Sequence, residues 1–126
     1  MKFFWIPAAV LSLLLGASLW NARFVAAETE VWRESVEAAL AAAEDDDWDA
    51  ALRAVRAAKA SWDARKPYLH IVTAHDELDR VDELLAETES FAIEREAAEF
   101  RASAAELTVQ LDIVSKLQQL TLRNVL

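Results

Sequence analysis

The chain opens with an apolar stretch, residues 3–22, that carries no charged side chain. As an α-helix these residues would measure about 30 Å, which matches the thickness of the hydrocarbon core of a bilayer. Trp5 and Trp20 lie near the two ends of the stretch, where indole rings favour the membrane interface. Residues 1–27 are therefore predicted to be a transmembrane anchor that contacts membrane lipid through residues 3–22.

The residues that flank the stretch predict its orientation. Lys2 and the amino terminus supply positive charge on one side, whereas Arg23 is followed by Glu28 and Glu30 on the other. Segments flanked by positive charge tend to stay in the cytoplasm. We therefore expect a single-pass protein with a cytoplasmic N-terminus and an extracytoplasmic C-terminal domain, residues 28–126.

Two other interpretations of the N-terminal stretch compete with an anchor. A secretory signal peptide would be cleaved after Val25-Ala26-Ala27, but its apolar region normally spans only about 7–15 residues. A buried core helix is the weaker alternative, because apolar side chains cover every face and the remaining domain is too small to surround them. The length of the stretch favours retention as an anchor.

The composition of residues 28–126 excludes several functions. All 22 acidic residues and 11 of the 13 basic residues lie there, which leaves a net charge of −11. No Lys/Arg cluster is available for a phosphate backbone, so we expect no nucleic-acid partner. The chain has no cysteine, and its single glycine is Gly16. Disulfides, thiolate metal sites and a glycine-rich phosphate loop in the domain are therefore excluded.

The apolar periodicity predicts an all-α fold, with an N-terminal transmembrane helix followed by an antiparallel four-helix bundle. The acidic turn at residues 45–47 separates the first two helices, and Asp46 is the expected cap of the second. The third helix is expected to open at Pro67. The four predicted helices span residues 28–44, 47–65, 67–87 and 91–120, with a break at Thr88–Ser90.

The last helix carries an apolar seam with a coiled-coil-like spacing. The seam consists of Ile93, Ala97, Phe100, Ala104, Leu107, Leu111 and Val114. We expect it to face the other three helices, with a homodimer through Ile93–Val114 as the alternative. Because this helix is longer than the first, its surplus is predicted to pack along residues 21–27.

A few side chains of residues 28–126 could carry chemistry. His75 would share a helix face with Asp79 and Asp82, a combination that can bind a divalent metal or transfer protons. One helix supplies only one edge of such a site, so we expect a structural histidine that hydrogen-bonds an acidic neighbour. His70 is expected to face elsewhere. Trp48 and Trp62 are predicted to pack in the core, with an exposed pair for a partner as the alternative.

Several short motifs, taken in order, resemble a known family. They are the run Asp47–Leu52, Trp62, the run His75–Asp79 and the ending Asn124-Val125-Leu126. This order resembles domain of unknown function family 4363, small membrane-anchored helical proteins of spore-forming bacteria and their relatives. The resemblance implies a bacterial cell membrane and suggests a multi-spanning membrane protein as partner. It also implies a set of family positions, with no role attached to them: Trp48, Trp62, His75, Glu77, Asp79 and Asn124.

These observations favour a membrane-anchored binding or accessory module for a membrane partner, with no cofactor and no enzymatic activity. The alternative is a secreted helical carrier of an apolar ligand, released by cleavage near Ala27, with a cavity between its helices. A metal-dependent enzyme centred on His75 and Asp79 is a more distant hypothesis.

Overall fold

The computed structural model describes the backbone of residues 2–125 and the side chains of residues 3–120. Within that part of the chain the structure is helical and contains no strand. Its four helices are α1 (Lys2–Glu44), α2 (Trp48–Val72), α3 (His75–Glu94) and α4 (Ala97–Val125). The predicted all-α class and helix bundle are therefore confirmed.

Helix α1 combines the apolar stretch and the first bundle helix in one uninterrupted rod. Its 43 residues extend over about 64 Å. The side chains from Phe3 to Val10 are all exposed, whereas Ala22 and Val25 are buried by the other helices. The N-terminal part of α1 thus projects beyond the bundle, and packing begins near residue 21.

The helices form a ring in which α1 packs on α2 and α4, and α3 packs on α2 and α4. Neighbours run antiparallel. Asn21 near the middle of α1 contacts Gln118 near the end of α4, and Trp32 further along α1 donates a hydrogen bond from Nε1 to Ser61 of α2. One end of the bundle therefore contains the α2–α3 turn and the end of α4. We call it the near end, because it adjoins the projecting part of α1, and the opposite one the far end.

The core is built around aromatic side chains. Trp32 and Trp62 meet edge to face in the larger cluster, with ring centroids 5.1 Å apart, and Trp48 meets Phe100 in the same way at 5.5 Å near the far end. Such pairs add about 0.5–1.5 kcal/mol beyond the area that they bury. The inward positions of α4 complete the core, which confirms that its seam faces the other helices: Phe100, Ala104, Leu107, Leu111 and Val114.

The α1–α2 turn lies where the acidic run predicts it, but its cap is a different residue. Asp47 accepts a hydrogen bond from the backbone N–H of Ala50 through its side chain, which makes it the N-cap of α2. Asp46 instead ends α1 in the left-handed conformation, at φ 57°, and its carboxylate accepts the indole N–H of Trp48 at 2.8 Å. The prediction that Asp46 caps α2 was wrong.

The predicted helix break at Pro67 was also wrong. Helix α2 continues through Pro67 to Val72, and the chain turns at Thr73 and Ala74. Proline removes one hydrogen bond from a helix interior. Because Pro67 is exposed, water can solvate the carbonyl that loses its partner, and the buried face carries on through Trp62 and Leu69.

The predicted break at residues 88–90 does not exist. Helix α3 runs on to Glu94 and ends at Arg95, whose φ is 58°. The N–H of Glu96 bonds the carbonyl of Phe91, a Schellman closure that usually contains glycine. Ile93 consequently belongs to α3 and is exposed, so the α4 seam begins at Phe100.

Candidate functional site

A network of hydrogen-bonded polar side chains crosses the near end of the bundle. Asn21 of α1 lies at its centre, where its Oδ1 accepts a hydrogen bond from the Tyr68 hydroxyl and its Nδ2 donates to Gln118 Oε1 at 2.6 Å. Gln118 then donates to the Val72 carbonyl at 2.9 Å and to Thr73 Oγ1 at 2.6 Å. The last carbonyls of a helix lack intrahelical partners, so Gln118 of α4 satisfies the end of α2.

An aromatic cluster lies directly beside this network. Trp20 stacks on Phe24 with ring centroids 5.3 Å apart, and Tyr68 meets both rings edge to face. The Arg65 guanidinium lies 5.3 Å from the centre of the Phe24 ring. Burial raises the pKa of Tyr68, because the phenolate would be poorly solvated there. The ring therefore stays protonated and keeps donating to Asn21.

Further from the near end, α2 and α3 are joined by one shared carboxylate. Asp82 accepts the indole N–H of Trp62 at 2.8 Å and lies 2.6 Å from Lys66 Nζ. The hydrogen bond to Asp82 raises the pKa of Lys66, so this lysine stays charged at neutral pH. Trp62 is buried, as predicted, and its polar atom has a charged partner across the helix interface.

His75 does not contact the acidic side chains that the sequence predicts as its neighbours. It is the first residue of α3, and its Nδ1 lies 2.6 Å from Nδ1 of His70 at the end of α2. The predictions that His75 bonds an acidic neighbour and that His70 faces elsewhere were therefore wrong. Among the residues that the structure describes, no group of three or more His, Cys, Asp or Glu side chains could hold a metal ion.

Glu77 and Asp79 play different parts on α3. The Glu77 carboxylate accepts a hydrogen bond from Gln110 Nε2 at 2.5 Å, and the Glu77 backbone carbonyl accepts from the same nitrogen at 3.1 Å. This contact ties the start of α3 to α4. Asp79 is exposed and contributes to the electrostatic field at Lys66.

The structure does not gather the six positions singled out in the sequence into one site. Trp48 lies near the far end and Trp62 in the middle of the bundle, both buried as predicted. His75, Glu77 and Asp79 lie in the first turns of α3, and the side chain of Asn124 lies outside the described residues.

The polar network at the near end was not predicted from the sequence. Its members are Asn21, Tyr68, Thr73 and Gln118, which come from three parts of the chain. One signal was available, because Asn21 is a strongly polar side chain within an uncharged apolar stretch. A polar group in such a place needs a partner.

The fold defines an all-α protein in which a four-helix bundle continues directly into a long apolar helix. Among the described residues α1 alone is long and apolar enough to cross a membrane. Residues 19–125 match the family model described as "Domain of unknown function (DUF4363)", so the chain belongs to that family. The resemblance seen in the sequence is confirmed. Searches of the curated proteins and of the solved structures found no match.

Proposed function

We propose that this chain is a single-pass membrane protein whose bundle is a non-catalytic binding or accessory module for a membrane partner. The observation that carries the proposal is the continuity of α1. Its N-terminal half exposes apolar side chains on all sides, and its C-terminal half forms part of the bundle core. Exposed apolar surface of this extent is stable in lipid and costly in water.

Packing at residues 21–27 favours retention of the anchor over cleavage near Ala27. Val25 is fully buried in the core, and Asn21 holds the polar network together. Cleavage would remove both and would leave Tyr68 and Gln118 without their partner on α1. The family match begins at residue 19, so this segment belongs to the pattern that the family shares.

Two carboxylates of α3, Asp82, which was considered beside His75 for catalysis, and Glu77, take part in contacts within the bundle. Asp82 binds Trp62 and Lys66, and Glu77 binds Gln110. These contacts give both carboxylates a structural role, and for that reason we assign them no catalytic one. For the membrane topology, Lys2 supports a cytoplasmic N-terminus and an extracytoplasmic bundle.

Affinity capture from detergent-solubilised membranes tests the accessory role. The chain is compared with a control in which the same residues 1–20 anchor an unrelated soluble domain. We expect a multi-spanning membrane protein to be enriched by the intact chain over the control. Equal recovery of every membrane protein by both baits would contradict the role of the bundle.

A further inference from the structure

The near end of the bundle overlaps the apolar stretch along the axis of α1. Val72, the last residue of α2, lines the same groove as Leu14 and Ala17 of α1. Helix α4 overlaps the stretch as well, because its backbone continues to Val125, past the contact between Gln118 and Asn21. The two helices run antiparallel, so this continuation leads toward the level of residues 14–20.

This overlap leaves too little free helix to cross a bilayer. The part of α1 without a helix beside it runs from Phe3 to Leu13, which is about 16 Å long. The hydrocarbon core of a bilayer measures about 30 Å. If α1 spans the membrane, roughly 14 Å of the bundle lies at the depth of the adjoining lipid leaflet.

Two of the three segments that meet at the near end, one toward the end of α2 and one toward the end of α4, lack charged side chains, whereas the first turn of α3 carries Asp76 and Glu77. Residues 67–74 and 117–122 contain no Asp, Glu, Lys or Arg, although residues 28–126 as a whole are rich in both charges. Ile71, on the last turn of α2, is 83% exposed. At the depth set by the overlap, acyl chains would cover this exposed apolar side chain and remove it from water.

Several polar atoms at the near end are paired within the protein, at the end of α2 and between α1 and α4. In hydrocarbon an unpaired backbone or amide group costs several kcal/mol. Here Gln118 covers the Val72 carbonyl, and Asn21 joins Tyr68 to Gln118. The hydrogen bonds that water would otherwise supply to these groups come from neighbouring helices.

A groove on the side of this end has the character of a lipid contact. It lies between α1 and the last turn of α2 and has a volume of about 340 Å³. Apolar side chains form most of its wall and polar ones lie at the level of the network. Its lining consists of Leu14, Ala17, Ser18, Trp20, Asn21, Tyr68 and Val72. Two of these residues, Trp20 and Tyr68, are of types that favour the membrane interface.

From these observations we propose that the near end of the bundle is seated in the adjoining membrane leaflet. Phospholipid acyl chains cover Ile71 and fill the groove between α1 and α2. The proposal rests on the proposed membrane anchor and adds the depth at which the bundle lies. It predicts a domain fixed against the membrane surface rather than one tethered above it.

Site-specific fluorescence in vesicles tests the depth of the near end. The chain has no cysteine, so single cysteines can carry an environment-sensitive dye without background. Ile71→Cys places the dye on the near end, and Ile93→Cys places it at an exposed apolar position near the far end. Leu11→Cys places it within the apolar stretch. Each labelled full-length protein is reconstituted in phosphatidylcholine vesicles with and without bromine on the acyl chains.

Brominated lipid should quench the dye at residues 11 and 71 and leave the dye at residue 93 unchanged. We expect the loss of fluorescence at residue 71 to be at least roughly half of that at residue 11, since it lies nearer the interface. Quenching at residue 11 together with none at residue 71 would overturn the seated bundle and leave the anchor intact. Absence of quenching at residue 11 would overturn the anchor and with it the proposal.

Discussion

The two ends of the bundle differ in how the polar backbone groups at their helix ends are hydrogen-bonded. At the far end, α1 and α3 end in left-handed turns at Asp46 and Arg95. Asp47, the residue directly before α2, caps that helix through its side chain. Charged side chains surround these turns and water can complete their hydrogen bonds. At the near end, Gln118 reaches from α4 to the last carbonyl of α2.

This difference indicates which surroundings each end is built for. Local caps leave some backbone groups to water, which suits an aqueous surface. A network that joins three helices and avoids charge suits a place where water is scarce. The comparison can be tested by changes at each end of the bundle.

Truncation at two points should separate the anchor from the bundle. Removing residues 1–27 deletes Val25 from the core and Asn21 from the network, and should lower the free energy of unfolding by about 3 kcal/mol or more. Removing residues 1–19 keeps both and is the matched control. Urea unfolding of the two products measures the difference, and equal stabilities would show that residues 20–27 do not belong to the bundle.

Asn21→Val should weaken the near end without a large change in volume. The substitution leaves the Tyr68 hydroxyl and the Gln118 amide oxygen Oε1 without their hydrogen-bond partner, at a cost of about 2 kcal/mol. Thermal unfolding in detergent measures the loss. Unchanged stability would mean that water replaces these hydrogen bonds and that the near end is not dry.

A double-mutant cycle on Thr88 and Ser103 provides a comparison within the bundle core. Their hydroxyl oxygens lie 2.6 Å apart and both residues are buried. Thr88→Val should cost about 1–2 kcal/mol, because it strands the Ser103 hydroxyl. Adding Ser103→Ala should recover part of that loss, whereas additive losses in denaturant unfolding would refute the coupling of the two hydroxyls.

Glycine at the two left-handed turns should stabilise the protein at one of them only. Arg95→Gly relieves the strain of a side chain at φ 58° and should stabilise the protein by about 1 kcal/mol. Asp46→Gly relieves the same strain but removes the acceptor of the Trp48 indole N–H, so we expect no gain. Denaturant midpoints compare the two variants, and an equal gain in both would rule out a stabilising role for the Asp46 contact.

Alkaline pH should destabilise the protein modestly through Lys66 and Tyr68. Folding raises both pKa values above their ordinary values of 10.5 and 10.0. Their contribution to stability is therefore complete below those values and is lost as pH rises through the folded pKa values. In the double variant Lys66→Met, Tyr68→Phe the free energy of unfolding should fall less steeply with pH in the alkaline range. An unchanged slope would contradict the role of these two groups.

Much of the fold could be predicted from the sequence because its signals are local. The uncharged stretch, the acidic turn at residues 45–47 and the inward spacing of Phe100, Ala104 and Leu107 are all visible in the chain. Helix ends were less accessible. Pro67 lies on an exposed face and leaves its helix intact, and the turn at Arg95 uses no glycine.

The candidate site depends on contacts that no local pattern encodes. Asn21 and Gln118 are 97 positions apart, and Tyr68 and Gln118 approach Asn21 from different helices. Their partners follow only once the helices are placed in register. The same is true of His75, whose neighbour depends on where α2 ends.

The most direct test of the membrane anchor is the intact mass of the protein recovered from cells that express the chain. Membranes are washed with alkaline carbonate, and both the pellet and the soluble fraction are analysed. The account predicts the uncleaved chain in the membrane pellet, with α1 whole. A soluble product that begins at Glu28, or the uncleaved chain in the soluble fraction, would contradict it.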